Sequence, residues 1–322
     1  IAYDPTGKYL FIPHETFTNA GVSRYDIEND FNEILFAGDQ GGLSGDWTND
    51  WGAFDPARFT PNGTVWAGEE WSGQGRVIEI MNPYADTADI EIREMHSIAN
   101  VAHEGIGFSN QDGRVVYYVD ENNTGSIYKF VGKSDGDFDN GQTFVLVVDG
   151  FAGDPTGDWD QNGNSEVRIG AATWVAITDE DGNHTTVQDP FAPFNTSGRA
   201  AADEVNGTPY GRPEDVEVGT LNNGNEVLYM AATSEKTIYT IEMTSDDTAN
   251  VRVFADESNT PKNVGFEATS GTLSSPDNLA QDALGNIFII EDKPNGDDIG
   301  GDIWFVRDVD GDGVGESLDH FM

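Results

Sequence analysis

The sequence predicts an all-β fold, a six-bladed β-propeller with a central metal site. Three observations support it: the apolar runs are short, one turn–strand phrase recurs along the chain, and its period is roughly 50 residues. Four-stranded propeller blades have periods of this size and point equivalent strand ends at a common axis. Residues that recur at these strand ends are therefore expected to converge.

The apolar runs favour strands over helices. They are four to six residues long and rich in Val, Ile, Tyr, Phe and Trp, and Gly, Asn, Asp and Pro flank them. The 38 glycines and 13 prolines fit a chain with many turns. We find no linker that would separate domains, so we predict a single propeller domain over residues 1–322.

In the recurring phrase, a turn with glycine precedes an apolar run that leads to a carboxylate. The turn glycines are Gly7, Gly63, Gly113, Gly224 and Gly285, and the carboxylates that follow are Glu15, Glu69, Glu70, Asp120, Glu121, Glu235, Glu291 and Asp292. The gap from Gly113 to Gly224 is about two periods. We therefore expect a further blade near 145–185, with strands at 143–148 and 172–177.

The stretch from about 179 to 209 is poor in strand-forming residues and contains two prolines close together, Pro190 and Pro193. We interpret it as a long insertion between blades, with one short helix near 197–206. Long loops often shape a functional site.

A second phrase places a carboxylate just before an alternating apolar strand. It occurs at 103–108 with Glu104, at 212–217 with Glu214, Asp215 and Glu217, at 275–280 with Asp277, and in a weaker copy at 49–54. The innermost strand of each propeller blade lines the channel, so an acidic residue at its entry is expected to face the axis.

Carboxylates that converge in this way predict cation binding. Calcium takes six to eight oxygen ligands, and carboxylates brought together without a cation repel one another. The predicted axial ligands are Glu15, Glu69, Glu70, Glu104, Asp120, Glu121, Glu214, Glu217, Asp277 and Asp292. The alternative for any one of them is a strand-end residue that faces solvent.

Three further features bear on chemistry. His14 and His103 each precede a glutamate and are either metal or substrate ligands or packed side chains. Arg212 is a cation among carboxylates, in a structural ion pair or as a binder of an oxyanion. The loop with Asp308, Asp310 and Asp312 has the spacing of a peripheral calcium site, as do the loops at 135–139 and 158–164, or these are ordinary polar turns.

Composition excludes several classes of function. With 58 acidic and 16 basic residues the net charge is −42, which argues against nucleic acid and anionic membranes as partners. Without cysteine there are no disulfides or thiolate ligands, and no apolar run is long enough to span a membrane. Nucleophile-elbow, P-loop and dinucleotide motifs are absent, so chemistry is expected to be metal-assisted.

Because the chain starts at Ile1 within a strand-like phrase, we interpret it as a mature form or an excised domain.

Several segments resemble one known family, the PhoX-type alkaline phosphatases, which are secreted β-propeller enzymes. The resemblance covers nearly the whole chain in order. The matching segments are His14–Asn19, Thr64–Glu70, His103-Glu104 with 115–121 and 127–130, Gly211–Glu217 and Ser274–Leu279 with Gly285-Asn286. Arg-Pro-Glu-Asp-Val-Glu and Ser-Pro-Asp-Asn-Leu are the most specific pieces.

The resemblance implies a secreted or periplasmic monomer that hydrolyses small phosphate monoesters with an axial cofactor of calcium and ferric ions. It implies Glu69, Glu70, Glu214 and Glu217 as metal ligands with contributions from Asp120, Glu121, Asp277 and Asp292, and Arg212 as the phosphate clamp. Arg212 and Glu214 are thus the expected catalytic residues. The family cysteine that ligates iron falls on Gly68, so calcium is the expected ion and iron a possible addition.

Two other functions remain open on sequence. A calcium-dependent lactonase or phosphotriesterase of the gluconolactonase-like propellers would also place Glu, Asn and Asp around an axial calcium. A calcium-stabilised module without catalysis is the non-enzymatic alternative, and Gly68 favours it, whereas Arg212 favours an anionic substrate.

Overall fold

The computed structural model of the protein describes residues 1–39, 47, 49–71, 75–161, 167–192, 197–258, 272–292 and 301–322. Antiparallel strands make up most of the regular structure in these residues, which confirms the predicted all-β class. The first sheet contains β1 (Ala2–Tyr3), β2 (Tyr9–Pro13), β3 (Gly21–Asp26) and β4 (Phe31–Ala37). The second contains β5 (Phe54–Phe59), β6 (Val65–Glu69), β7 (Val77–Ile80) and β8 (Ile92–Glu94).

The middle of the chain forms a nine-stranded sheet from two four-stranded meanders and a strand between them. The first meander is β9 (His103–Phe108), β10 (Val115–Asp120), β11 (Ile127–Gly132) and β12 (Gly141–Val148). The connecting strand is β13 (Gly170–Ala176). The second meander is β14 (Pro213–Thr220), β15 (Glu226–Ala232), β16 (Thr237–Met243) and β17 (Thr248–Asp256). The last sheet of the chain is β18 (Pro276–Gln281), β19 (Ile287–Glu291), β20 (Ile303–Arg307) and β21 (Ser317–His320).

The recurring glycine turn is the first hairpin of each meander. It joins β1 to β2, β5 to β6, β9 to β10, β14 to β15 and β18 to β19. Four of the five turn glycines have φ between 70° and 89°, in the left-handed region that favours glycine. The sequence phrase therefore marks a real structural repeat.

The predicted count of six blades is not confirmed, because the described residues form five such meanders. The segments expected to build a separate blade at 143–148 and 172–177 are strands, but they lie in β12 and β13. β13 pairs with β12 on one side and with β17 on the other, so it joins two meanders instead of starting a third.

The predicted helix of the insertion is α1 (Ser197–Glu204). Arg199 on this helix donates from Nε and Nη2 to the two carboxylate oxygens of Asp120, at 2.6 and 2.7 Å. Asp120 is fully buried at the end of β10. The paired hydrogen bonds therefore fix the insertion next to the end of an inner hairpin.

One ion-pair network connects the first strands of four meanders. Arg58 of β5 donates to the Ile106 carbonyl of β9 at 2.8 Å and to Asp215 Oδ1 of β14 at 2.5 Å. The other oxygen of Asp215 accepts the Leu279 amide of β18 at 3.1 Å. These contacts hold β5, β9, β14 and β18 side by side, which brings the beginnings of all four strands together. Among the described residues, no helix is long and apolar enough to cross a membrane.

Candidate metal centre

A β-bulge marks the beginning of each of these four inner strands. The pairing register shifts between Phe54 and Ala57, between His103 and Ile106, between Pro213 and Val216, and between Pro276 and Asn278. A bulge leaves a residue unpaired and redirects its side chain. The residues within the four bulges include Asp55, Glu104, Glu214 and Asp277.

The bulged carboxylates form two compact groups with residues of neighbouring hairpins. Oxygens of Glu104, Glu214 and Asp277 lie within 4.8 Å of one another, and so do oxygens of Glu15, Asp55 and Glu70. We call these the inner and the outer carboxylate group. Five of these six residues are predicted ligands. Asp55 was missed, because the weak phrase at 49–54 ends one residue before it.

The second strands of three meanders end in a pair of acidic residues, and the two members of each pair have different surroundings. Glu69-Glu70, Asp120-Glu121 and Glu291-Asp292 occupy equivalent positions, and the amide of each second residue donates to the loop that precedes the inner strand. Because side chains alternate along an extended chain, the two acids of a pair point to opposite sides. The first acid is buried in each pair.

Glu69 and Asp120 therefore lie outside both carboxylate groups, contrary to their prediction as axial ligands. The two oxygens of Glu69 accept Arg76 Nε and Nη2 at 2.8 Å, together with the amides of Gly52 and Arg76. Asp120 is paired with Arg199. Each of the two carboxylates has its charge compensated by an arginine, so they stabilise the fold locally.

Three other predicted ligands lie beside the groups. Glu121 accepts a hydrogen bond from Arg212 Nε. Glu217, farther along β14, has its carboxylate 3.6 Å from Arg58. Asp292 is exposed, and its negative charge contributes to the raised pKa of Asp277.

Arg212 lies at the edge of the inner group. Its Nη2 is 3.2 Å from Glu214 Oε1, and its Nε donates to Glu121. Nη1 has no hydrogen-bond acceptor among the residues that the structure describes. Arg212 has φ of 54°, in the left-handed region that side chains other than glycine seldom adopt. A strained backbone at a charged, partly exposed side chain is typical of functional sites.

Neither His14 nor His103 belongs to the two carboxylate groups. His14 Nε2 is 2.7 Å from Ser23 Oγ. His103 is completely buried against Tyr118, and burial lowers its pKa to about 3. A Cβ at Gly68 would come within 2.7 Å of the His103 Cβ and 2.9 Å of Pro56 Cγ. The position of the family cysteine is thus filled by the neighbouring side chains.

Five carboxyls of the two groups have raised pKa values. Burial is the first cause in each case, and repulsion by neighbouring carboxylates adds to it. The pKa rises to about 9 for Glu70, about 7 for Glu214 and about 6 for Asp55 and Asp277, and it is well above its usual value for Glu104. A cation bound between these oxygens would remove the repulsion.

The donors fit a hard cation. All six residues offer carboxylate oxygens, which are the ligands that calcium prefers, and two oxygen groups side by side provide more than one position. A thiolate ligand is excluded, since the chain has no cysteine. The fit therefore supports calcium more directly than an iron site with a thiolate ligand.

The predicted peripheral loop also brings its carboxylates together. Oxygens of Asp308, Asp310, Asp312 and Glu316 lie within 4.8 Å of one another between β20 and β21. Asp308 accepts the amides of Asp312 and Gly313, at 3.0 and 2.8 Å. Calcium binding there stays a prediction, as it does at 135–139 and at 158–164, where residues 162–164 lie outside the described part of the chain.

Four-stranded meanders that converge on a carboxylate cluster define a propeller-type protein with a candidate metal centre. Comparison with known families gives the more specific assignment. The family model of alkaline phosphatase PhoX matches residues 27–314, and the chain belongs to this family of phosphoric-ester hydrolases. The resemblance inferred from the sequence is confirmed. No curated protein matches the chain significantly in sequence.

Solved structures support the fold. The structure of Pseudomonas fluorescens PhoX in complex with vanadate, a transition state analogue, is similar with a TM-score of 0.60 and 15% identity, over 94% of this chain and 70% of that one. Two other solved structures are less similar. A luciferin-regenerating enzyme has a TM-score of 0.47 and 10% identity, over 98% of this chain and 80% of that one. The periplasmic gluconolactonase PpgL of Pseudomonas aeruginosa has a TM-score of 0.46 and 13% identity, over 96% of this chain and 82% of that one.

The neighbours Glu69 and Glu70 provide a matched test of the two roles. Glu69→Gln leaves Arg76 without its buried counter-charge, so we expect the free energy of unfolding to fall by about 3 kcal/mol, with calcium stoichiometry unchanged. Glu70→Gln removes one ligand and one repelling charge, so we expect weaker calcium binding and no loss of stability in chelator. Urea unfolding and calorimetric calcium titration measure both. Loss of calcium in Glu69→Gln alone would contradict the assignment.

The raised pKa values also predict how stability depends on pH. Without cation, the folded chain holds protons on these carboxyls that the unfolded chain has already released, so the folded state binds more protons from about pH 4 to about 9. Stability in chelator should therefore fall as pH rises through this range, and saturating calcium should remove the decrease. Thermal unfolding at about pH 5, 7 and 9 measures it. A rise in stability in chelator over this range would exclude a repulsive cluster.

Proposed function

We propose that this chain is a calcium-dependent alkaline phosphomonoesterase whose phosphate site lies between Arg212 and the two carboxylate groups. The observation that carries the proposal is the position of Arg212, a partly exposed guanidinium 3.2 Å from a carboxylate of the inner group. Family membership supports the reaction class. The vanadate complex of the Pseudomonas fluorescens protein supports a site for a phosphate-like anion.

Arg212 is oriented by its acidic neighbours. Glu121 holds Nε and Glu214 holds Nη2, so the plane of the guanidinium is fixed and Nη1 is left to donate to a phosphate oxygen. A fixed donor that meets developing negative charge lowers the transition-state energy without reorganisation. We assign Arg212 to phosphate binding and Glu214 to orienting it.

The ligands of the proposed metal centre are Glu15, Asp55, Glu70, Glu104, Glu214 and Asp277. Calcium held there would neutralise phosphate oxygens and make phosphorus more electrophilic. Burial raises the pKa of Glu104 well above its usual value and that of Glu214 to about 7, so a carboxyl of this pair holds a proton at neutral pH when no cation is present. That proton must leave when a cation binds to both oxygens, which favours the loaded state at alkaline pH.

The proposal includes a small phosphorylated substrate, a monomeric chain and a location outside the cytoplasm. The net charge of −42 supports a protein that does not bind nucleic acid or anionic lipid. The chain has no thiolate to ligate iron, so the proposed centre is built on calcium. Elemental analysis of protein purified without chelator is expected to find calcium in excess of one ion per chain. A single calcium would favour the lactonase alternative.

Removal of the Arg212 guanidinium should abolish most turnover. We expect Arg212→Gly to lower kcat/KM for p-nitrophenyl phosphate at alkaline pH at least ~100-fold and to weaken vanadate inhibition. Glycine suits the left-handed backbone of this position, so the substitution adds no backbone strain. Steady-state kinetics with vanadate titration measure both effects.

Arg114→Gly is the matched control, since Arg114 is a half-exposed arginine that pairs only with Asp112 in the described residues. It should leave kcat/KM within about twofold. Full activity in Arg212→Gly would reject the phosphate site. Absence of phosphoesterase turnover by the wild-type protein, with calcium present, would leave the binding module as the better interpretation.

A further inference from the structure

Aromatic rings lie next to the outer carboxylate group. Phe17 and Trp71 meet edge to face with ring centroids 5.6 Å apart, and Trp47 packs on Trp71 at 5.5 Å. Phe17 is 74% exposed. We call these three residues the aromatic platform. Burial of apolar surface stabilises the folded state, so an exposed ring held in an ordered cluster suggests contact with a ligand.

The platform and the carboxylates share the same short segments of chain. Trp71 directly follows Glu70, and Phe17 is two residues after Glu15, so their Cα atoms lie within about 4 and 7 Å of those of the two ligands. The main chain fixes this arrangement, because the Glu70 amide donates to the Ala53 carbonyl at 2.8 Å and the Ala53 amide donates to the Thr16 carbonyl at 2.6 Å.

The backbone at Gly52 lies against the ring of Trp71. A Cβ at Gly52 would lie 2.9 Å from a ring atom of Trp71 and 3.2 Å from the Phe17 carbonyl oxygen. The indole therefore rests on the backbone that leads to Asp55. The ring of Trp71 is thus packed against the loop that carries Asp55, a member of the outer group.

Building on the proposed function, we infer that the aromatic platform binds the alcohol part of the substrate and selects phosphate monoesters whose alcohol carries a flat aromatic ring. An ester with its phosphate at the carboxylate groups has its alcohol part next to the segments that carry Glu15 and Glu70, and the same segments carry Phe17 and Trp71. Flat rings stack on or meet the edges of aromatic side chains, whereas saturated rings offer only apolar area. Aryl alcohols and nucleosides both present such a ring.

The test compares substrates that differ only in the ring. Benzyl phosphate and cyclohexylmethyl phosphate have similar primary alcohols as leaving groups, so a difference in kcat/KM reports ring recognition. We expect the wild-type protein to prefer benzyl phosphate about tenfold. In Phe17→Leu, which keeps apolar volume but removes the ring, the preference should fall about threefold or more, with cyclohexylmethyl phosphate unchanged. Trp71→Leu provides a second variant at the other ring.

Phe31→Leu is the control, because Phe31 is also an exposed phenylalanine (57%) but lies on the outer strand β4. It should keep the wild-type preference. A comparison of adenosine 5′-phosphate with ribose 5-phosphate separates the two sources of the ring: a preference there identifies nucleotides, and its absence identifies aryl esters. Equal kcat/KM for benzyl and cyclohexylmethyl phosphate in the wild type overturns this inference alone. Turnover of none of the four esters overturns the proposed function and the inference with it.

Discussion

The structure depends on one electrostatic constraint, the crowding of carboxylates where the first strands of neighbouring meanders begin. Six acidic side chains approach one another within two groups, and burial together with repulsion raises the pKa of Glu70 to about 9. Folding brings these charges together, so their repulsion opposes the fold until protons or a cation compensate it. The scaffold must be held by other interactions, and the network around Arg58 supplies them across four strands.

Arginines in this chain separate structural acids from functional ones. Only 16 basic residues balance 58 acidic residues, and several arginines neutralise buried carboxylates next to the cluster. Arg76 compensates Glu69 and Arg199 compensates Asp120, whereas Glu70, one residue after Glu69, has no arginine partner among the described residues. Arg212 differs from both, because it is more exposed and its Nη1 has no acceptor among the described residues. An acid whose charge is compensated by an arginine has less need of a cation, and five of the six acids of the candidate metal centre, all but Glu214, have no arginine ion pair in the described part of the chain.

The sequence contained most of the fold and most of the site, for identifiable reasons. The glycine turn is a local signal, so it located the first hairpin of all five meanders and the acids at their strand ends. The pairing of β13 with β12 and β17 is non-local, which is why the count of six blades was not confirmed. The sequence pattern alone also does not predict the direction in which a side chain points at a β-bulge. Glu69 and Glu70 are neighbours of the same residue type, so only the alternation of side chains along the strand and the position of Arg76 distinguish their roles. Asp55 was missed because it lies one residue after the weak copy of the phrase at 49–54.

The packing around Gly68 explains how the fold accommodates a chain without cysteine. If Gly68 were an open position beside the cluster, the loss of a thiolate would leave a vacancy in the metal centre. Instead, the side chains of His103 and Pro56 occupy the space that a Cβ at Gly68 would enter, and His103 is buried in its neutral form. The hairpin therefore closes over this position, and the acids that remain form a centre of oxygen ligands alone. Such a centre suits calcium, whose flexible coordination tolerates a change in ligand number better than a site built around a thiolate. In the proposed function, Arg212 and the oxygen ligands are the groups that would meet the phosphate, and the filled space at Gly68 leaves no place for a thiolate that would favour iron.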